Sequence, residues 1–449
     1  MATNAKPTTI AAIATPAGRG GIGIIRISGH GLASWARALT GRDVPPRRAL
    51  RAQFLDRDGQ TLDDGLMLFF PGPNSYTGED VIELHGHGGP VVVRMLLARA
   101  IELGARLAEP GEFTRRAYLN DKLDLAQAEA VADVIDAATE SAARCAMRSL
   151  QGEFSRRIES LVEQLIELRM LVEATLDFPE EEIDALDRAV IGRRLQSLQD
   201  QLAKTLAMGR QGSLLRSGLQ VVLVGQPNVG KSSLLNRLAG EEIAIVTPIA
   251  GTTRDAVRQA IALAGIPVYI VDTAGLRETA DPVEQIGIAR TWAEVERADA
   301  AVVIVDAKVG LIDADRVILD RLPARLKRVI AHNKADLYQL PVERRDDQLG
   351  AHVVMSALTG EGVSLLQDAL LEIAGWHPGS EDVFMARERH MKALEQANSH
   401  VESAGAVIAR PELLAEELRL AQAALNSITG EFTADDLLGE IFSRFCIGK

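Results

Sequence analysis

Gly225-Gln226-Pro227-Asn228-Val229-Gly230-Lys231-Ser232 follows a short β-branched run, Val221 to Val224, and precedes a segment of helical spacing, Ser233 to Leu238. The octet fits G-x-x-x-x-G-K-[ST] in the strand–loop–helix context that its chemistry needs. Glycines let backbone N–H groups from Asn228 to Ser233 close around phosphate oxygens, and the helix N-terminus adds positive potential. Lys231 reaches the β- and γ-phosphates, and the Ser232 hydroxyl takes a place on magnesium. The loop also marks the fold of its own segment. Strand and helix patterns alternate from Gln220 to about Trp376, as in an α/β domain with a mainly parallel sheet.

Three further motifs come after it in the order that a GTP hydrolase requires. Gly251-Thr252-Thr253 lies in a polar loop, where a threonine hydroxyl, taken as that of Thr253, completes the magnesium shell and senses the γ-phosphate. Asp272-Thr273-Ala274-Gly275 ends the run Val268 to Val271, placing a carboxylate beside the metal and a backbone N–H near the γ-phosphate. Asn333-Lys334-Ala335-Asp336 follows Val329-Ile330-Ala331. Asp336 can accept two N–H bonds from guanine that adenine cannot supply, so the wrong base leaves a buried carboxylate unsatisfied. Ser356-Ala357-Leu358, ahead of a helix, offers backbone N–H groups to the guanine oxygen.

Hydrolysis also needs a group to position water and one to neutralise charge. Leu276, after the Asp272 motif, cannot orient water as glutamine does in small signalling GTPases. Glu278, Asp281 and Glu284 are the nearby candidates, and physics alone does not choose among them. Asn228 offers a hard carbonyl oxygen that fits a monovalent cation, or it is simply a turn-forming residue.

Outside this segment the pattern changes. The first 120 residues read as short strands, Ile22 to Ile27 and Gly65 to Phe70 among them, between turn clusters such as GRGG, DRDG and PGPN. Helical stripes then run through Val131, Val134, Ile135, Ala138, Ala142 and Cys145, next through Phe154 to Val172, and after an interruption at Pro179 through Ile191 to Leu202. They return at Met391, Leu394, Ala397, Val401 and Ala404. The expected architecture is multidomain α/β plus α: an α+β N-terminal domain over 1–121, a helical domain in two parts over 122–217 and 381–449, and a P-loop GTPase domain inserted over 218–380.

The 449 residues suffice for two to four domains, and two cysteines, Cys145 and Cys446, are too few for a disulfide framework. No long apolar run or secretory pattern is present, which places the chain in the cytoplasm without a membrane span. The net charge of −13 excludes nucleic-acid binding by the overall field, so any RNA contact uses a local patch or a partner. His85 and His87, in HGHGG, lack a third ligand cluster and are not read as a metal site.

The GTPase motifs, GTTRD at 251–255, DTAGLRETADPVEQIGI at 272–288, the N-terminal TPAGRGGIGIIRISG and PGPNSYTGEDVIELHGHGGP, NDKLDLAQAEA at 120–130 and the terminal CIGK together resemble the MnmE (TrmE) family of tRNA modification GTPases. The resemblance implies that Asn228 holds potassium with Thr247, Ile249 and Thr252, and that Glu284 orients the attacking water. Potassium would take the role of an arginine finger, and Arg277 is not assigned there. A 5-formyltetrahydrofolate or related tetrahydrofolate would bind the N-terminal domain through Arg26, Glu83 and Lys122, with Lys449 folding back to it. Cys446 would be a reactive thiol in the family's Cys-x-Gly-Lys. The family further implies a homodimer formed through the N-terminal domains. With an FAD-dependent MnmG-like partner, in a heterotetramer or larger complex, it forms a carboxymethylaminomethyl or aminomethyl group on the wobble uridine of tRNA. The alternatives are a GTP-dependent assembly or signalling switch that modifies nothing, and a folate enzyme that the GTPase merely regulates.

Overall fold

The computed structural model describes residues 8–177, 185–241, 258–272, 292–377, 383–430, 441–443, 445 and 448. The chain divides into two compact units, one of residues 1–132, 149–188 and 403–449, the other of 133–148 and 189–402.

In the first unit, strands β1 (Ile10–Ile13), β2 (Ile22–Gly29), β3 (Leu50–Leu55), β4 (Thr61–Phe70), β5 (Asp80–His87) and β6 (Arg106–Leu107) form one sheet in the order β3-β4-β5-β2-β1-β6. Both sequence runs read as strands lie inside β2 and β4. Alternation in β2 puts Ile25 and Ile27 in the core with Phe54, Met67, Ile82 and Leu84, against helices Ala33–Thr40 and Pro90–Glu102. Helix Glu153–Asp177 packs along helix Pro411–Thr429, which buries the stripe from Phe154 to Val172 against Leu414, Leu418 and Leu425.

The second unit holds β7 (Leu219–Val224), β8 (Arg258–Leu263), β9 (Ile266–Asp272), β10 (Ala300–Asp306), β11 (Lys327–Asn333), β12 (Glu343–Asp347) and β13 (Gly350–Val354). Their order is β12-β13-β11-β10-β7-β9-β8, parallel through the centre and antiparallel at the two edges. Val221 and Leu223 pack on one face and Val222 and Val224 on the other, which is why the run is apolar without alternation. Helices Lys231–Glu241 and Val363–Ala374 cover the first face. Strand ends at the C-terminal edge of such a sheet are where open α/β folds build ligand sites.

The stripe read as continuous from Val131 to Cys145 is broken. Helix Leu125–Asp136 stops, and a second helix begins at Glu140. The cause is Thr139, whose hydroxyl accepts the Ala142 N–H at 3.1 Å and caps the new helix. Ile135, on the expected buried stripe, is 42% exposed.

Candidate functional site

The phosphate loop leaves β7 through Gly225 at φ +150° and enters helix Lys231–Glu241 after Gly230 at φ +100°. Neither position admits a side chain, since a Cβ on Gly225 would stand 2.3 Å from the Ile304 carbonyl oxygen and one on Gly230 2.2 Å from Asn333 Nδ2. Asn228 adopts the left-handed conformation at φ +63°, which asparagine tolerates best after glycine. Its side chain is exposed, as are Ser232 and Ser233, whereas Val229 is buried beneath the loop. Lys231 Nζ donates to the carbonyls of Gly225 at 2.8 Å and Gln226 at 3.0 Å, which holds the ammonium over the concave side of the loop.

Asn333 ties this loop to the segments expected from the sequence to meet the base. Its Nδ2 donates to the Val229 carbonyl at 2.7 Å, and its Oδ1 accepts the Ala357 N–H at 2.8 Å. The Ser356 hydroxyl donates to Asp336 Oδ1 at 2.6 Å and accepts the Thr359 N–H at 3.1 Å. The carboxylate is thereby aimed beside a loop that exposes Leu358. Lys334, in the left-handed region at φ +72°, donates to Asp306 Oδ2 at 3.0 Å.

Two supporting residues escaped the sequence reading. Asp306 ends β10, where burial raises its carboxyl pKa, but bonds from Lys334, Lys308 N–H and Tyr338 outweigh it and hold the group below its usual value. Arg237, on the phosphate-loop helix, donates to the Ala357 carbonyl at 3.2 Å and to that of Leu358. For Asp306 a signal existed, an acid at the C-terminal end of a buried strand. Arg237 carried none.

The donor set at this site is hydroxyl and amide oxygen, which suits the hard cations magnesium and potassium rather than zinc. Asp272 ends β9 in register with Leu223 of β7, at the same sheet edge as the phosphate loop. Thr247, Ile249, Thr252, Thr253, Thr273, Ala274, Gly275 and Glu284 lie outside the described residues, as do Arg277, Glu278 and Asp281.

In the first unit, Arg26 of β2 faces Glu83 of β5 across the register. Its Nε and NH2 both lie 2.9 Å from Glu83 Oε1, and its NH1 donates to the Gly448 carbonyl at 3.2 Å. The guanidinium stands 5.7 Å from the centre of the Tyr76 ring and 5.8 Å from that of Phe113. Both charged groups retain some exposure, 22% and 17% of the side chain. Gly448, at φ +100°, lies so close to β1 that a Cβ would meet the Ile13 carbonyl at 2.5 Å. Phe442 and Phe445 anchor this terminal segment on Leu125 and Ala128. Arg26, Glu83 and the residue before Lys449 are therefore together, while Cys446 and Lys449 themselves lie outside the described residues.

Lys122 lines a different hollow of about 440 Å³, with Tyr118, Asp124, Gln127 and Gly430. His85 Nε2 lies 3.1 Å from Glu83, and His87 Nδ1 2.7 Å from Asp63. Among the described residues no group of three His, Cys, Asp or Glu side chains could hold a metal ion. Cys145 is buried, with Sγ 3.4 Å from the Val383 carbonyl. None of the described helices is long and apolar enough to cross a membrane.

Two family models match the chain. "GTP-binding protein TrmE N-terminus" covers residues 9–122, and "MnmE helical domain" covers residues 125–446. Among curated proteins, the tRNA modification GTPase MnmE of Dechloromonas aromatica is 63% identical over 99% of this chain and 100% of its own length. Those of Nitrosomonas europaea and Chromobacterium violaceum are 59% and 60% identical, over 98% and 99% of this chain and 99% of their own lengths.

Proposed function

From the premise that the chain belongs to the MnmE family of tRNA modification GTPases, we propose that it is a potassium-dependent GTP hydrolase acting on the wobble uridine of tRNA in the cytoplasm. It works as a homodimer with an FAD-dependent MnmG-like partner, and the product carries a carboxymethylaminomethyl or aminomethyl group. The N-terminal domain is residues 1–121, the GTPase domain 218–380, and the helical domain the two flanking parts.

The observation that carries the hydrolase is the pair of hydrogen bonds of Asn333, one donated to the Val229 carbonyl and one accepted from the Ala357 N–H, which ties the phosphate loop to the guanine loop. Preorganised donors stabilise developing charge without reorganising during reaction. Lys231 and the loop N–H groups bind the β- and γ-phosphates, while Ser232 and Thr253 would hold magnesium with the Asp272 carboxylate beside it. Magnesium supplies electrostatic stabilisation to the phosphoryl oxygens. Asn228, with Thr247, Ile249 and Thr252, holds potassium, and Glu284 orients water for in-line attack on the γ-phosphorus. The water oxygen forms the new bond to the γ-phosphorus as the bond to the GDP oxygen breaks; that oxygen takes the bond's electrons, and the water proton leaves on inorganic phosphate.

Folate binding is supported by the ion pair of Arg26 and Glu83 and by the Tyr76 and Phe113 rings near the Arg26 guanidinium, a setting fitted to a flat heterocycle with donors and acceptors on one edge. As the family resemblance implies, Lys122 and Lys449 supply cations for the ligand, with Lys122 lining a hollow apart from Arg26, and Cys446 is a reactive thiol.

The test compares GTP hydrolysis in potassium and in sodium at equal ionic strength, with Glu284→Ala alongside. Acceleration specific to potassium and lost in the variant is the expected result. Equal rates in the two salts would return Asn228 to a turn residue.

A further inference from the structure

Strands β8 and β9 form a hairpin whose open end joins both nucleotide-sensing motifs: β8 begins five residues after Thr253, and β9 ends at Asp272. Pairing is unbroken from Arg258 opposite Val271 to Leu263 opposite Ile266. The closing turn is the two residues Ala264 and Gly265, at φ +47° and +89°, the mirror-image geometry that matches strand twist and makes a stiff hairpin. A displacement at one end is therefore carried to the other, ~20 Å away.

Segments remote in sequence hold the tip. The Thr139 hydroxyl donates to the Gly265 carbonyl at 2.7 Å while it accepts the Ala142 N–H. Trp376 Nε1 donates to the Ala264 carbonyl at 3.2 Å. A Cβ on Gly265 would stand 2.5 Å from Ser141 Oγ, so this close seat demands glycine. Helix Glu140–Leu150 is in turn tied to the segments through which the chain enters and leaves the sheet domain. Arg148 donates to the Val383 carbonyl at 2.7 Å. Just ahead of the helix, buried Asp133 receives Arg216 at 2.9 Å and Arg387 at 2.8 Å.

We propose that Thr139 and Trp376 are positioning residues for GTP hydrolysis: they fix the tip of the β8–β9 hairpin, hold Asp272 in register at its far end, and pass the nucleotide state to helix Glu140–Leu150. The inference rests on the GTPase reading proposed for this site. A hydroxyl is required at Thr139 because one atom must both accept the cap bond and donate to the hairpin. Aspartate would keep the cap and lose the donation, and serine keeps both, which separates coupling from helix stability.

The experiment is hydrogen exchange on the full chain with magnesium and either GDP or guanosine 5′-(β,γ-imido)triphosphate, together with steady-state hydrolysis. In the unsubstituted protein, peptides over 139–148 are expected to exchange roughly fivefold differently in the two nucleotides. Thr139→Asp and Trp376→Phe each reduce that difference and lower kcat roughly fivefold with KM within twofold, while Thr139→Ser behaves as the parent. Trp376→Phe keeps the ring and serves alone if Thr139→Asp does not fold. A difference that persists in the double variant overturns the proposal, as does no difference in a parent protein whose residues 225–233 are protected by nucleotide. Absence of protection at 225–233 would instead remove the GTPase reading and this inference with it.

Discussion

The nucleotide site and the Arg26 site are assembled in opposite ways. The phosphate loop is one stretch of eight residues, with backbone directions set by the conformations of Gly225 and Gly230. Arg26, Glu83 and Gly448 come together only after β2 pairs with β5 and the terminal segment lies on β1. Local sites are written in short-range chemistry, whereas the second kind is written in strand register and chain return. The difference predicts where each breaks.

The strongest test of the local side is Gly230→Ala. The new methyl would meet Asn333 Nδ2 at 2.2 Å, at a backbone φ of +100° that a side chain rarely adopts. Both the loop and its tie to the guanine segment must shift. Loss of kcat/KM for GTP is expected to be roughly a thousandfold, with folate-analogue binding unchanged by calorimetry. Altered folate binding would show that the two sites are not independent.

Asp336→Asn should come next in size, with a loss of roughly a hundredfold in GTP affinity. An amide presents a donor where guanine needs an acceptor, so xanthosine triphosphate, with a carbonyl in place of guanine's amino group, should recover part of the loss. A nucleotide titration that finds GTP still preferred would move base recognition away from this carboxylate.

For the Arg26 site, Arg26→Gln removes the ion pair with Glu83 and leaves the strands in place. Folate-analogue affinity should fall roughly tenfold, and GTP hydrolysis should stay within twofold. Unchanged affinity would assign ligand binding to the separate hollow that Lys122 lines.

This division also explains how much the sequence alone made legible. The order of motifs from Gly225 to Leu358 pointed to a nucleotide site, and of these the phosphate loop carries its own backbone geometry, with Gly225 and Gly230 at positive φ. The strands Ile22 to Ile27, Gly65 to Phe70 and Val221 to Val224 were visible as short apolar runs. The break at Thr139 was not, since a threonine inside an apolar stripe reads as a helix residue until its cap bond is seen. Asp306 was passed over although it ends a buried strand, and Arg237 was missed because it acts on the carbonyls of Ala357 and Leu358, a contact between segments far apart in sequence.

The smallest effect contrasts two histidines. His332, next to Asn333 in β11, donates to or accepts from His352 of β13 at 3.0 Å, and the rings stack at 5.3 Å. Burial first, then His352 and Arg345, push its pKa down to about 4. It is neutral when folded and titrates near 6.5 when unfolded, so its contribution to stability is full above about pH 6.5 and is lost as pH falls toward 4. The loss for His332 is on the order of 2–3 kcal/mol. His87 has the reverse sign, because its bond to Asp63 raises its pKa; its contribution is present below about pH 6.5 and is lost as pH rises through the raised value. Between about pH 7.5 and 5, β11 and β13 should therefore lose hydrogen-exchange protection, after correction for intrinsic rates, while β2 and β5 keep theirs. His332→Gln offers a neutral donor to His352 and should flatten the slope in β11 and β13 alone. If the variant loses protection as the parent does, the acid sensitivity of this sheet belongs to its carboxylates, and the two regions differ in assembly but not in their response to pH.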